Sequence, residues 1–127
     1  MIQITTLLHA TFLVADLNIS RAFYEGTLGL TLNPDRPDLG FPGVWYDIGT
    51  HQQLHLMQLP NPEAGLKRPQ HGGRDRHVAL AVNDLAALTL QLGKAGLGYT
   101  LSKSGRRALF CRDPDNNALE FIEVISG

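Results

Sequence analysis

The chain has 127 residues, 43% hydrophobic and 18% charged, which suits one globular core and excludes a disordered polyelectrolyte. A formal net charge of −1 leaves no electrostatic footprint for nucleic acid. The single cysteine, Cys111, excludes an intrachain disulfide, and no apolar run is long enough to cross a bilayer.

The start, Met1-Ile2-Gln3-Ile4-Thr5, lacks the positive charge and small-residue cleavage site of a secretory signal, so a cytoplasmic location is expected. Residues 7–15 then alternate as a strand, with Phe12 and Val14 on one face and His9, Thr11 and Leu13 on the other. Asp16 or Asn18 can cap a helix over 18–28, with Ile19, Phe23 and Leu28 as its apolar stripe and Gly29 as its stop. Strands are predicted near 30–33, 44–49 and 53–59, and the prolines and glycines between Asn33 and Gly43 mark a loop. A linker over 60–75 follows, punctuated by Pro60, Pro62, Pro69, Gly72 and Gly73. The second half repeats the order. A strand at 76–83 precedes a helix at 84–95, capped by Asp84 and striped by Leu85, Leu88, Leu92 and Ala95. Strands near 98–102, 106–112 and 118–125 complete it, the last two joined by the turn Asp113-Pro114-Asp115-Asn116-Asn117. The pattern predicts an α+β domain of two β-α-β-β-β modules, about 1–60 and 76–127.

Chemistry enters through the repeat. Residues 9–17 and 77–85 both read His, four residues, Val, any residue, Asp-Leu. His55 lies in Leu54-His55-Leu56-Met57, and Glu120 in Leu119-Glu120-Phe121-Ile122. His77 follows His9 by 68 residues, and Glu120 follows His55 by 65. Each half thus sets one ligand-type residue at its start and one near its end. On the second-half strand, His77 shares its face with Ala79 and Ala81, small residues that leave room beside the imidazole. Glu120 sits among apolar neighbours, where an unpaired carboxylate is costly and a metal or another cation offsets the cost. His9, His55, His77 and Glu120 are therefore the candidate metal ligands. His51 and His71 fall in a turn and in the linker and are expected to be solvated, and Glu123 to be an exposed or edge charge.

At these residues the chain resembles the vicinal oxygen chelate superfamily, which includes glyoxalase I, extradiol dioxygenases, fosfomycin-resistance enzymes and bleomycin-resistance proteins. The resemblance rests on His9 with Val-Ala-Asp-Leu at 14–17, Arg21-Ala22-Phe23-Tyr24 with Leu28-Gly29-Leu30, His77 through Val82, and Asp113-Pro114-Asp115 before Leu119-Glu120. It implies modules that form a curved mixed sheet around a divalent metal held by His9, His55, His77 and Glu120. It further implies a homodimer in which each site takes residues from both chains. Where glyoxalase I usually has Glu or Gln, this chain has His55. That removes a possible carboxylate base and leaves Glu120, or a metal hydroxide, to move the proton.

The metal (Ni, Zn, Co, Mn or Fe) would polarise a carbonyl and stabilise an enediolate, which predicts lyase or isomerase chemistry on a small α-hydroxycarbonyl or thiol adduct. Arg and Lys residues in the linker and before Ala108 point to an anionic substrate. Arg106 shares parity with Ala108 and Phe110, so it is expected to face the cavity; Arg76 is a second candidate, with Trp45 and Phe110 as walls. Rival readings are an Fe(II) dioxygenase, a fosfomycin-type thiol transferase, against which Phe110 counts, and a non-catalytic antibiotic binder.

Overall fold

The computed structural model describes residues 1–125. Its strands are β1 (His9–Leu13), β2 (Thr31–Asn33), β3 (Gly43–Ile48), β4 (Gln52–Met57), β5 (His77–Val82), β6 (Thr100–Leu101), β7 (Ala108–Arg112) and β8 (Ala118–Glu123). Its α-helices are α1 (Leu17–Arg21) and α2 (Leu85–Lys94). The strands form two four-stranded mixed sheets in the orders β1-β4-β3-β2 and β5-β8-β7-β6. In each, the first strand runs parallel to the last strand of its module, and the remaining pairs are antiparallel. The expected β-α-β-β-β order holds in both halves.

Both helix starts follow from local chemistry. Asp16 accepts from the N–H groups of Asn18 and Ile19, and Asp84 from that of Ala87, which satisfies donors that have no partner within the helix. The first helix departs from the predicted 18–28 span. After Arg21 it widens into a π-helical turn, Ala22–Thr27, in which Leu28 N–H donates to Phe23 O at 3.0 Å. Phe23 and Tyr24 are both buried there, whereas Ile19, expected on the apolar stripe, is 56% exposed. A stripe at ordinary helical spacing does not survive the change of pitch. On α2, Leu85 and Leu92 are buried as expected, but Ala95 is the exposed C-cap. Gly96 takes φ +70°, a conformation that L side chains rarely adopt, and closes the helix.

One core spans both modules: Leu54, Leu56, Val44 and Tyr46 from the first sheet join Leu109, Leu119 and Phe121 from the second. Each fully buried leucine contributes about 1.5–3 kcal/mol. Polar ties reinforce the junction. Ala15 N–H donates to Asp115 Oδ1 at 2.9 Å, and Ser20 Oγ to Asp115 Oδ2 at 3.3 Å. No helix among the described residues is long and apolar enough to cross a membrane.

Candidate functional site

The four repeated residues separate into two pairs, one on each sheet. On the first sheet, β1 and β4 are neighbours, with His9 opposite Gln53 and Thr11 opposite His55. The His9 and His55 rings stack with centroids 4.1 Å apart and planes 13° apart. Trp45 lies opposite His55 on β3 and stacks on it at 4.6 Å and 11°. Burial, then the charges of His9 and Arg36, push the His55 pKa down to about 4. The ring is therefore neutral near pH 7, the form that binds metals. Stacked rings hold their lone pairs in near-parallel planes that do not meet at one point, so a shared ion requires one ring to turn. His9 is exposed and has no side-chain hydrogen bond among the described residues, so it is the ring free to do so.

On the second sheet, Glu120 is only 4% exposed. His77 Nε2 lies 3.3 Å from Glu120 Oε1, and Arg106 Nη2 lies 3.6 Å from Oε2. Phe110, opposite Glu120 on β7, meets the edge of His77 at 5.1 Å. His77 Nδ1 stands 2.9 Å from Asp75 O. A carbonyl only accepts, so Nδ1 carries the hydrogen. In neutral His77 the bare Nε2 lone pair then faces a carboxylate oxygen, an acceptor against an acceptor. A proton on Nε2 or a cation bound between the two resolves the conflict.

Within the described residues of one chain, no group of three or more His, Cys, Asp or Glu side chains is close enough to hold a metal ion. Within one chain the four expected ligands do not converge: His9 lies beside His55, and His77 beside Glu120. Of the other candidates, Arg106 reaches Glu120, Phe110 is buried beneath His77, and Trp45 is part of the ring stack. Arg76 instead pairs with Glu63 in the linker.

Two expectations need correction. His71 is not a freely solvated linker residue: its Nδ1 lies 2.7 Å from Thr100 Oγ1, and its ring meets Phe110 at 4.9 Å. Glu123 is not a loose charge. It accepts from Leu85 N–H at 2.9 Å, across the start of α2, and from Arg107 at 2.7 Å. These two bonds, with the backbone bond first, hold its carboxyl below the usual range. Sequence reading also gave Gln53 no role, although its parity, two residues before His55, put it on the same face.

The doubled modules agree with the comparisons with known proteins. Residues 6–121 match the family model described as the Glyoxalase/Bleomycin resistance protein/Dioxygenase superfamily. The chain belongs to this superfamily. It is 30% identical to a lactoylglutathione lyase of Haemophilus influenzae over 124 residues, covering 92% of this chain and 91% of that one. It is 26% identical to "Glyoxylase I 4" of Arabidopsis thaliana over 130 residues, covering 98% of this chain and 74% of the plant protein. Among solved structures, a glyoxalase family protein from Bacillus anthracis superposes with a TM-score of 0.77 at 23% identity, over 97% of this chain and 98% of that one. The antibiotic-binding protein TnmS3 from a Streptomyces strain superposes at 0.73 with 19% identity, over 97% and 98% of the two chains. At these identities the structural likenesses establish the fold alone. Solved structures described as a lactoylglutathione lyase and as an antibiotic-binding protein both share it, so the fold does not fix the reaction.

Proposed function

We propose that this superfamily member is a metal-dependent lyase or isomerase acting on a small anionic α-hydroxycarbonyl or thiol-adduct substrate. The observation that carries the reading is the His77–Glu120 pair, which sets an imidazole nitrogen and a carboxylate oxygen 3.3 Å apart, as two ligands of one ion would lie. His9, His55, His77 and Glu120 would hold it, the first pair from one protomer of a homodimer and the second pair from its partner. Three imidazoles and one carboxylate suit Ni, Zn, Co, Mn or Fe. When bound, such an ion polarises a carbonyl of a substrate that chelates it through neighbouring oxygens.

The chain's own residues supply the rest. Glu120, ligand and base in turn, accepts a proton from the hydroxyl-bearing carbon beside that carbonyl and returns it to the carbonyl carbon, while the hydroxyl proton passes to the former carbonyl oxygen, so the net change is a redox-neutral shift of hydrogen. Its burial excludes water from the transfer. Arg106, with its head beside Glu120 and its side chain 59% exposed, is placed to pair with the anionic end of an incoming substrate. Phe110 closes the floor of the site under His77. The buried free thiol of Cys111 suits the reducing conditions of the cytoplasm, the location we assign.

The test begins with metal analysis of the purified protein and reconstitution with nickel or zinc. Activity on a methylglyoxal–thiol adduct is expected, and Glu120→Gln is expected to lose about 10²–10⁴-fold in rate while still binding metal. Full activity in that variant sinks the assigned role. Oxygen consumption that depends on Fe(II) would replace the reading with a dioxygenase, and tight ligand uptake by metal-free protein would replace it with a binder.

A further inference from the structure

We propose that Gln53 and Asp47 are positioning residues that hold His55 as its Nε2–H tautomer, so that Nδ1 is the nitrogen it offers to a metal ion. The residues involved lie along one row of the first sheet. Asp47 on β3 lies directly opposite Gln53 on β4. Asn33 Nδ2, from β2, donates to Asp47 Oδ1 at 2.9 Å and anchors the carboxylate. A carboxylate only accepts, so the Gln53 amide must turn its NH₂ group toward it, and Gln53 Nε2 lies 3.4 Å from the same Oδ1. That orientation leaves Gln53 Oε1 facing His55 Nε2 at 2.8 Å. An amide oxygen also only accepts, so the hydrogen sits on His55 Nε2. The polarity of the row is set from the carboxylate outward, and Nδ1 keeps the free lone pair. Trp45, stacked on the ring, fixes its plane.

The two modules thus prepare their histidines in opposite tautomers. His77 is held as Nδ1–H by Asp75 O, and His55 as Nε2–H by Gln53, in each case by a group two residues upstream. A site drawing on both would take Nε2 from one module and Nδ1 from the other. Such outer partners orient a ligand and fix its tautomer without touching the ion.

Long-range proton–nitrogen correlation spectra of metal-free, histidine-labelled protein read the tautomer directly, with His55 assigned by its loss in His55→Gln. Wild type is expected to show His55 as Nε2–H. Gln53→Leu is expected to populate Nδ1–H, and Asp47→Ala to move the same signal in the same direction by less. Titration with zinc alone is expected to bind about 10–100-fold more weakly to Gln53→Leu. A wild-type His55 already in the Nδ1–H form, or a tautomer that ignores both substitutions, overturns the proposal. If Gln53→Leu does not fold, Asp47→Ala decides the tautomer question. The zinc readout rests on the metal-site reading above, but the spectra do not. A wild type that takes up no zinc would end that reading and leave the tautomer result to judge this one.

Discussion

Tyr24 donates its hydroxyl to Asp113 Oδ2 at 2.6 Å, and neither residue is more than 5% exposed. The bond ties the π-helical turn of the first module to the β7–β8 turn of the second. Burial, with the Asp113 charge, pushes the tyrosine pKa well up, so the phenol stays a donor. Asp113 also accepts from Asp115 N–H, Asn117 N–H and Asn117 Nδ2, so its carboxyl organises the turn from inside. Tyr24→Phe removes one of those donors and leaves the packing. It is expected to cost about 1–3 kcal/mol, read as a lower urea midpoint with an unchanged slope. A variant as stable as wild type would mean that Asp113 is satisfied without Tyr24.

Metal removal has a defined signature if the His77–Glu120 pair is half of a site. With zinc at about 100-fold over its dissociation constant, stabilisation of about 2.7 kcal/mol over chelator-treated protein is expected. His77→Ala is expected to lose most of that gain. Thermal unfolding with zinc and with chelator compares the two proteins. An undiminished gain in the variant would place the ion elsewhere.

A site split between protomers makes a further prediction. One variant carries His9→Ala with His55→Ala, and another His77→Ala with Glu120→Ala. Each alone is expected to be inactive. Mixed and allowed to exchange, they form heterodimers with one intact site of two, so about a quarter of wild-type activity is expected to return. No recovery after confirmed exchange would place all four ligands within one chain.

Glu25 gives a pH dependence away from the site. Arg21 Nε reaches it at 2.6 Å, and Tyr46 donates to it at 2.8 Å. The Arg21 hydrogen bond above all, then that of Tyr46, lower its pKa against the opposing effect of burial. Below its ordinary value of 4.5 the unfolded chain takes up a proton that the folded protein refuses. The unfolded state then binds more protons, so stability falls as the pH drops through this range toward the folded value. Urea midpoints between about pH 6 and pH 3 are expected to fall less steeply in Glu25→Gln than in wild type.

What the sequence alone determined is whatever depends on neighbours in the chain. Asp16 and Asp84 cap their helices because the donors they satisfy lie two or three residues on. The small-residue face around His77, the turn at Asp113 and the doubled module order were legible for the same reason, as was the fold they imply. Tertiary structure decided the rest. Ile19 stays exposed ahead of the π-helical turn, Glu123 serves a helix that begins 38 residues upstream, and His71 comes to rest on Phe110. It also divided the four repeated residues into two pairs, because a strand's parity fixes which face a side chain leaves from but not which other sheet that face will meet. The tautomers of His55 and His77 follow in turn from acceptors whose orientation is set only once the strands are in register.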